Sequence, residues 1–284
     1  MQRELVKDLS LTVAYVGSGS SYIMDAYNWN GSDPGPPATE TNRRLIPRWN
    51  SITLRTPFGH SSYHGMDVQL EKRSAGGLLL SASYTWSHYF RSARGNSNFD
   101  LRHRFVSSAV WEVPVGRGRR WMDHGGILDH VFGGWQLSAL ISLQTGHNFT
   151  VTVPNSRTLL GATALSDWWP DRIADPRLET RTDDRWFDTA AFVLPRGSDG
   201  AYHFGNAGRG ILNGDGLFNL DGGLMKNFSL TERFRLQFRW ETFNLTNTPT
   251  LSDPNASLGN PDFGKSRGTV STPRQMQFAL RLSF

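Results

Sequence analysis

At its C-terminal end the chain alternates without a miss: Met276, Phe278, Leu280, Leu282 and Phe284 are apolar, and Gln275, Gln277, Ala279, Arg281 and Ser283 stand between them. Successive side chains of a strand point to opposite faces, so the pattern predicts a strand with one oily face and one that can hydrogen-bond. The same beat recurs upstream. Residues 8–16 set Leu9, Leu11, Val13 and Tyr15 against Ser10, Thr12, Ala14 and Val16. Residues 63–73 set Met66, Val68 and Leu70 against Asp67, Gln69, Glu71 and Arg73. Further runs fall at 78–90, 104–113, 135–145, 218–228 and 234–240, which with the last makes eight predicted strands.

The connections alternate as well. Those after the second and sixth runs are four or five residues and that after the fourth is about 20, whereas those after the first, third, fifth and seventh run from about 10 to 70. The longest stretches are rich in Gly, Ser, Asn and Pro, a composition unsuited to a sheet ladder, and read as loops over about 17–62, 146–215 and 245–272. Short turns on one rim and long loops on the other, with an even strand count and both termini on the short-turn rim, describe an antiparallel up-and-down transmembrane barrel. The expected fold is therefore all-β: one partial barrel domain over residues 1–284 with long extracellular loops. Eight strands that closed on themselves would leave almost no lumen. As part of a larger barrel they would form a curved open sheet with two unpaired edges, and the open sheet is the expectation here.

Composition narrows the choice. Only 38% of the chain is apolar, yet it holds 10 Trp, 17 Phe and 29 Gly, and no apolar run approaches the roughly 18 residues of a membrane helix. Tyr84, Trp86 and Phe90 gather at one end of the predicted strands, and Trp111, Trp135, Phe228, Phe234 and Phe284 at the other, as interfacial aromatic girdles against outer-membrane lipid would. The opposite face carries charges of both signs: Glu112, Asp221, Arg233, Arg235, Arg239, Glu241 and Arg281. Each would cost several kcal/mol unpaired in a dry core. A water-filled lumen removes that cost, so these residues are expected to line one. The net charge of +5 is too modest to argue for nucleic acid, and there is no Cys for a disulfide or thiolate site. Met1 to Asp8 carry charges and no apolar run follows, so the start is not a secretory signal and an exported protein would be longer than this chain.

Chemistry-bearing motifs are sparse. No nucleophile elbow or phosphate loop occurs, no cofactor is expected, and His60 and His64 lie in a Gly/Ser setting that does not hold a metal. An enzyme is not expected. In the 146–215 loop, Trp168, Trp169 and Trp186 with Arg185 offer stacking surfaces and a charge for a ligand such as an oligosaccharide, a peptide or a metal chelate. Against this stands self-packing of the loop. Two other classes compete with a receptor barrel: a small stand-alone barrel with a structural or adhesive role, and a soluble β-sandwich that binds carbohydrate.

Seven stretches in order carry a resemblance to a known family. They are Tyr84-Thr85-Trp86-Ser87, Phe99-Asp100-Leu101-Arg102-His103-Arg104-Phe105, Pro114-Val115-Gly116-Arg117-Gly118-Arg119-Arg120, Gly133-Gly134-Trp135-Gln136-Leu137-Ser138, Arg185-Trp186-Phe187-Asp188-Thr189-Ala190-Ala191-Phe192, Phe243-Asn244-Leu245-Thr246-Asn247, and the terminal alternation to Phe284. From about Leu9 to Phe284 the chain resembles the C-terminal part of a TonB-dependent receptor of the Oar-like, carboxypeptidase-regulatory-like-domain-containing branch. The resemblance implies a larger barrel around a plug, with energy supplied by the TonB complex through an N-terminal part. Plug, TonB box and N-terminal domain have no counterpart in this sequence. It also implies that Phe284 is read as a signal by the barrel-assembly machinery, a further partner.

Overall fold

The computed structural model describes residues 1–36, 39, 41–73, 76–91, 95–96, 99–116, 118–122, 126, 131–153, 169–231 and 233–284, with only the backbone path for 95–96. Nine strands follow one another across a single antiparallel sheet. They are β1 (Gln2–Val6), β2 (Leu9–Asn28), β3 (Thr53–Lys72), β4 (Leu78–Arg91), β5 (His103–Glu112), β6 (Trp135–Gln144), β7 (Leu217–Ser229), β8 (Arg235–Phe243) and β9 (Gln275–Ser283). Every neighbour in sequence is a neighbour in the sheet, and Gly95–Asn96 add a short rung to β4. Among the described residues β1 and β9 do not pair with each other, so the sheet is open, as expected.

The predicted runs reappear as β2 to β9, with three corrections. First, β1 precedes them: Gln2 lies opposite Thr12 and Glu4 opposite Ser10, across a turn in which Asp8 takes a left-handed φ of 65°. Its alternation is hidden because Arg3 occupies the oily side next to a rim, where water is in reach. Second, residues 17–28 and 53–62 are not loop but the outer halves of β2 and β3, with Gly17 opposite His64 and Gly19 opposite Ser62. Above the hydrocarbon neither face of a hairpin has to be apolar, so the two-residue period disappears while the ladder continues. The ladder slips between Ser20 and Ile23, where Tyr22 has φ 60°. Third, with nine strands the count is odd, and Met1 sits beside Val13 rather than on the short-turn rim.

Register sorts the side chains into two faces. One carries Ser10, Thr12, Asp67, Gln69, Glu71, Ser81, Ser83, Thr85, Ser108, Gln136, Ser138 and Gln144, and runs on through Asn219 and Asp221 to Gln237 and Arg281. Hydrogen bonds knit it across strands: Thr85 Oγ1 donates to Asp67 Oδ1 at 2.6 Å, Gln237 Nε2 donates to Asn227 Oδ1 at 2.8 Å, and Gln277 Nε2 donates to Glu241 Oε2. The other face is apolar and uncovered. Leu280 is 71% exposed and Phe278 70%. Trp240 stacks on Phe278 at 6.4 Å and Trp135 meets Phe238 edge-on at 6.2 Å; the buried Lys226 ammonium lies 5.1 Å from the Trp135 ring and donates to Val131 O, but no second sheet covers this face among the described residues. A continuous oily surface of this extent has to meet lipid or protein.

Buried hydrophobic side chains sit elsewhere. Among the described residues all of them, from Phe149 to Leu212, belong to the connection between β6 and β7. Phe187 is fully buried, with Phe192 at 5.7 Å and Phe263 at 5.2 Å in edge-to-face contact, and Leu251, Ala256 and Leu258 pack against the same cluster. Phe263 and those three come from the β8–β9 connection. Backbone bonds from Trp186 N to Gly264 O (2.8 Å), Ser266 N to Asp183 O (2.7 Å) and Thr152 N to Ala256 O (2.8 Å) stitch the two connections into one cap on the long-loop rim.

Candidate functional site at the outer rim

Between the cap and the outer ends of β5 and β6 lies a cavity of about 700 Å³, within the range of small-molecule sites. The sheet contributes His103 and Gln144, the segment leading into β5 contributes Asp100 and Arg102, and the β6–β7 connection contributes Asn148, Arg172, Arg177 and Arg181. Asp100 is 3% exposed and fully engaged: its carboxylate accepts Tyr89 N at 2.8 Å, Arg102 Nη2 at 3.2 Å and Asn148 Nδ2 at 3.4 Å, and lies 3.2 Å from His88 Nδ1. Burial of a carboxylate is tolerable only with such partners. Asn148 pairs in turn with Asn213, on the short ladder between Asn148–Phe149 and Leu212–Asn213. Thus Asp100 fixes the floor where the sheet becomes the cap.

The arginines differ in their engagement. Arg181 donates to Asn213 O at 3.2 Å and lies over the Trp186 ring at 5.7 Å. The guanidinium groups of Arg172 and Arg177 have no partner among the described residues. Four arginines therefore face one carboxylate that is already occupied. Gly146 and Gly214 meet at the wall, where a Cβ on Gly146 would run into the Gly214 carbonyl, so the close approach of the two chains requires glycine. Away from the cavity, Arg267 joins Asp184 at 2.7 Å across the two connections and Asp262 at 3.2 Å within its own. Those bonds, Asp184 first, raise its guanidinium pKa above the ordinary value.

The residues singled out from sequence are placed as follows. Trp186 is 6% exposed in the cap core and donates Nε1 to Asn213 O at 2.9 Å. Trp169 packs against the same core, its buried Nε1 without a partner among the described residues, and Trp168 lies outside the described residues. Among the described residues the Arg185 side chain reaches only Asp188, at 3.4 Å, and it points to solvent. Hence Trp169 and Trp186 come together and Arg185 does not join them. Asp221, Arg235, Arg239, Glu241 and Arg281 share the polar face with Glu112, which pairs with Arg119 at 2.9 Å near the short-turn rim. Arg233 lies outside the strands, in the β7–β8 turn. Phe284 is 94% exposed, its ring 6.5 Å from Phe234. The histidines His64 and His103 bond through Nδ1 to Tyr15 and Tyr84 hydroxyls at 2.6 and 2.7 Å.

Sequence reasoning missed the cavity. Asp100 and Arg102 were inside a recognised stretch, but the recurrence of arginine at 172, 177 and 181 was the available signal and has no strict period.

No curated protein matches the sequence. Among solved structures the chain is similar to Pseudomonas aeruginosa FpvA bound to heterologous pyoverdines, at 10% identity and TM-score 0.50, with 99% of this chain and 26% of that one covered. The ferripyoverdine receptor of the outer membrane of Pseudomonas aeruginosa gives 10% identity, TM-score 0.49 and the same coverage. The ferric-catecholate import receptor Fiu from Escherichia coli K12 gives 12%, 0.45, and 98% against 25%. The chain spans about a quarter of the length of these receptors, and at such identity the FpvA likeness is one of fold. A family model described as an outer membrane beta barrel domain matches residues 1–277. With that match over nearly the whole chain, an oily sheet face left bare for lipid and a hydrogen-bonded face behind it, this chain belongs to the outer membrane β-barrel domain family.

Proposed function

We propose that the chain is the C-terminal barrel portion of a TonB-dependent receptor of the Oar-like branch, which captures a solute under its cap and passes it along the polar face of the sheet. The observation that supports this reading most is the joining of two long connections into one packed cap above an open sheet. A barrel wall with a purely structural role has no use for a 700 Å³ cavity at its rim. Glu112, Asp221, Arg235, Arg239, Glu241 and Arg281 line the passage, Arg233 stands at its inner end, and Trp169 and Trp186 stiffen the cap beside the ligand, while Arg185 stays on the outer surface of the cap. The partners are then outer-membrane lipid on the oily face, the barrel-assembly machinery, and the TonB complex acting through an N-terminal part.

Cells that make the full-length protein from its native gene provide the test. Solutes drawn from the medium are compared by mass spectrometry in wild-type, gene-deleted and TonB-deficient cells. Loss of the same solute in both mutants is expected. A solute profile unchanged by either deletion would overturn the reading.

A further inference from the structure

We infer that the cavity between the cap and strands β5 and β6 is a binding site for a small oligoanion, a solute with at least two carboxylate or phosphate groups. This rests on the receptor reading for its physiological meaning but not for its chemistry. Arg102, Arg172, Arg177 and Arg181 line the space, and the one carboxylate among them, Asp100, already takes hydrogen bonds from Tyr89 N, Arg102 and Asn148. The lining thus carries an excess of positive charge in a recess walled by protein, a geometry that concentrates the field and draws in anions.

The arginines are also unequally prepared. Arg102 and Arg181 are held, the first by Asp100 at 3.2 Å and the second by Asn213 O and the Trp186 ring. Arg172 and Arg177 have nothing to bond among the described residues, although each offers a planar fork that suits carboxylate or phosphate oxygens. Held groups shape the site and the two unengaged ones bind. A neutral sugar would leave Arg172, Arg177 and Arg181 facing the cavity without a counter-charge, since Asp100 is taken by Arg102, so the site discriminates against it.

Calorimetric titration of the full-length protein in detergent at low salt tests this, with citrate and inorganic tripolyphosphate as anionic probes and maltotriose as a neutral one. Saturable binding of at least one anion and none of maltotriose is expected. Citrate alone would identify a carboxylate site and tripolyphosphate alone a phosphate site. The double variant Arg172→Gln/Arg177→Gln should weaken that binding roughly tenfold to a hundredfold, the range of lost charged hydrogen bonds. The variant Arg48→Gln/Arg55→Gln, which removes the same charge from the first long hairpin, should bind as wild type does. The inference fails if neither anion binds saturably, if maltotriose binds at the same site, or if the two double variants weaken binding equally. Binding in detergent does not involve TonB, so anion binding without TonB-dependent uptake would remove the receptor reading and leave the site.

Discussion

Phe187 and Phe263 meet edge to face with 5.2 Å between ring centroids, though one belongs to the connection between β6 and β7 and the other to that between β8 and β9. This contact makes the cap one folded unit rather than two loops. Among the described residues the sheet beneath supplies no dry core, so the cap has to hold itself together by its own aromatic cluster.

Phe187→Ala should therefore loosen the cap and spare the barrel. Loss of a fully buried Phe costs about 3–5 kcal/mol where the site cannot collapse. On the full-length protein in outer membranes, limited proteolysis should cut within residues 169–215 far faster than in wild type. The heat-modified gel mobility that reports the folded barrel should stay unchanged; loss of both together would contradict an independently packed cap.

The two faces of β9 should respond oppositely to charge. Leu280→Arg puts a guanidinium against hydrocarbon near mid-strand and should lower stability by about 2–4 kcal/mol, whereas Ala279→Arg, on the polar face, should cost well under half of that. Urea unfolding of the full-length barrel refolded into lipid vesicles measures both. Equal losses would mean that lipid does not lie against the Leu280 side.

Asn30 should control the tip of the β2–β3 hairpin. It is fully buried; its Oδ1 accepts Ile46 N at 2.7 Å, and its Nδ2 lies 2.8 to 3.0 Å from the carbonyls of Asn50, Trp49 and Ile46. Asn30→Ala leaves those groups unsatisfied, at about 1–3 kcal/mol. Hydrogen exchange at the Ile46 amide should accelerate while exchange in the β2–β3 ladder below remains slow.

Gly146→Val should separate the two chains that close the cavity wall, because its Cβ would meet the Gly214 carbonyl. Anion binding should be lost in the calorimetric titration while the gel mobility of the folded barrel persists. Retained binding would show that the wall gives way without altering the cavity.

The strands were legible where lipid imposes a rule. From Leu9 to Val16 and from Met276 to Phe284 every second residue must be apolar, and the register follows from that requirement. Gly17 to Asn28 were not legible, since a hairpin standing in water has no oily face to reveal it. Gln2 to Val6 escaped for a related reason: a short edge strand needs a partner ladder more than a pattern. The polar-face residues Asp221, Arg239, Glu241 and Arg281 were found because a charge within a strict alternation points to one side only.

Sequence alone determined the fold class, the outer-membrane setting and the sorting of side chains into an oily and a polar face, because the two-residue period of a strand is written locally into the chain. Tertiary structure alone decided that the connections following Gln144 and Phe243 fold into one cap, and that Asp100, Arg102, Arg172, Arg177 and Arg181 surround one cavity. Contacts between loops depend on long-range packing with no period, so no local reading of the residues could bring Phe187 to Phe263.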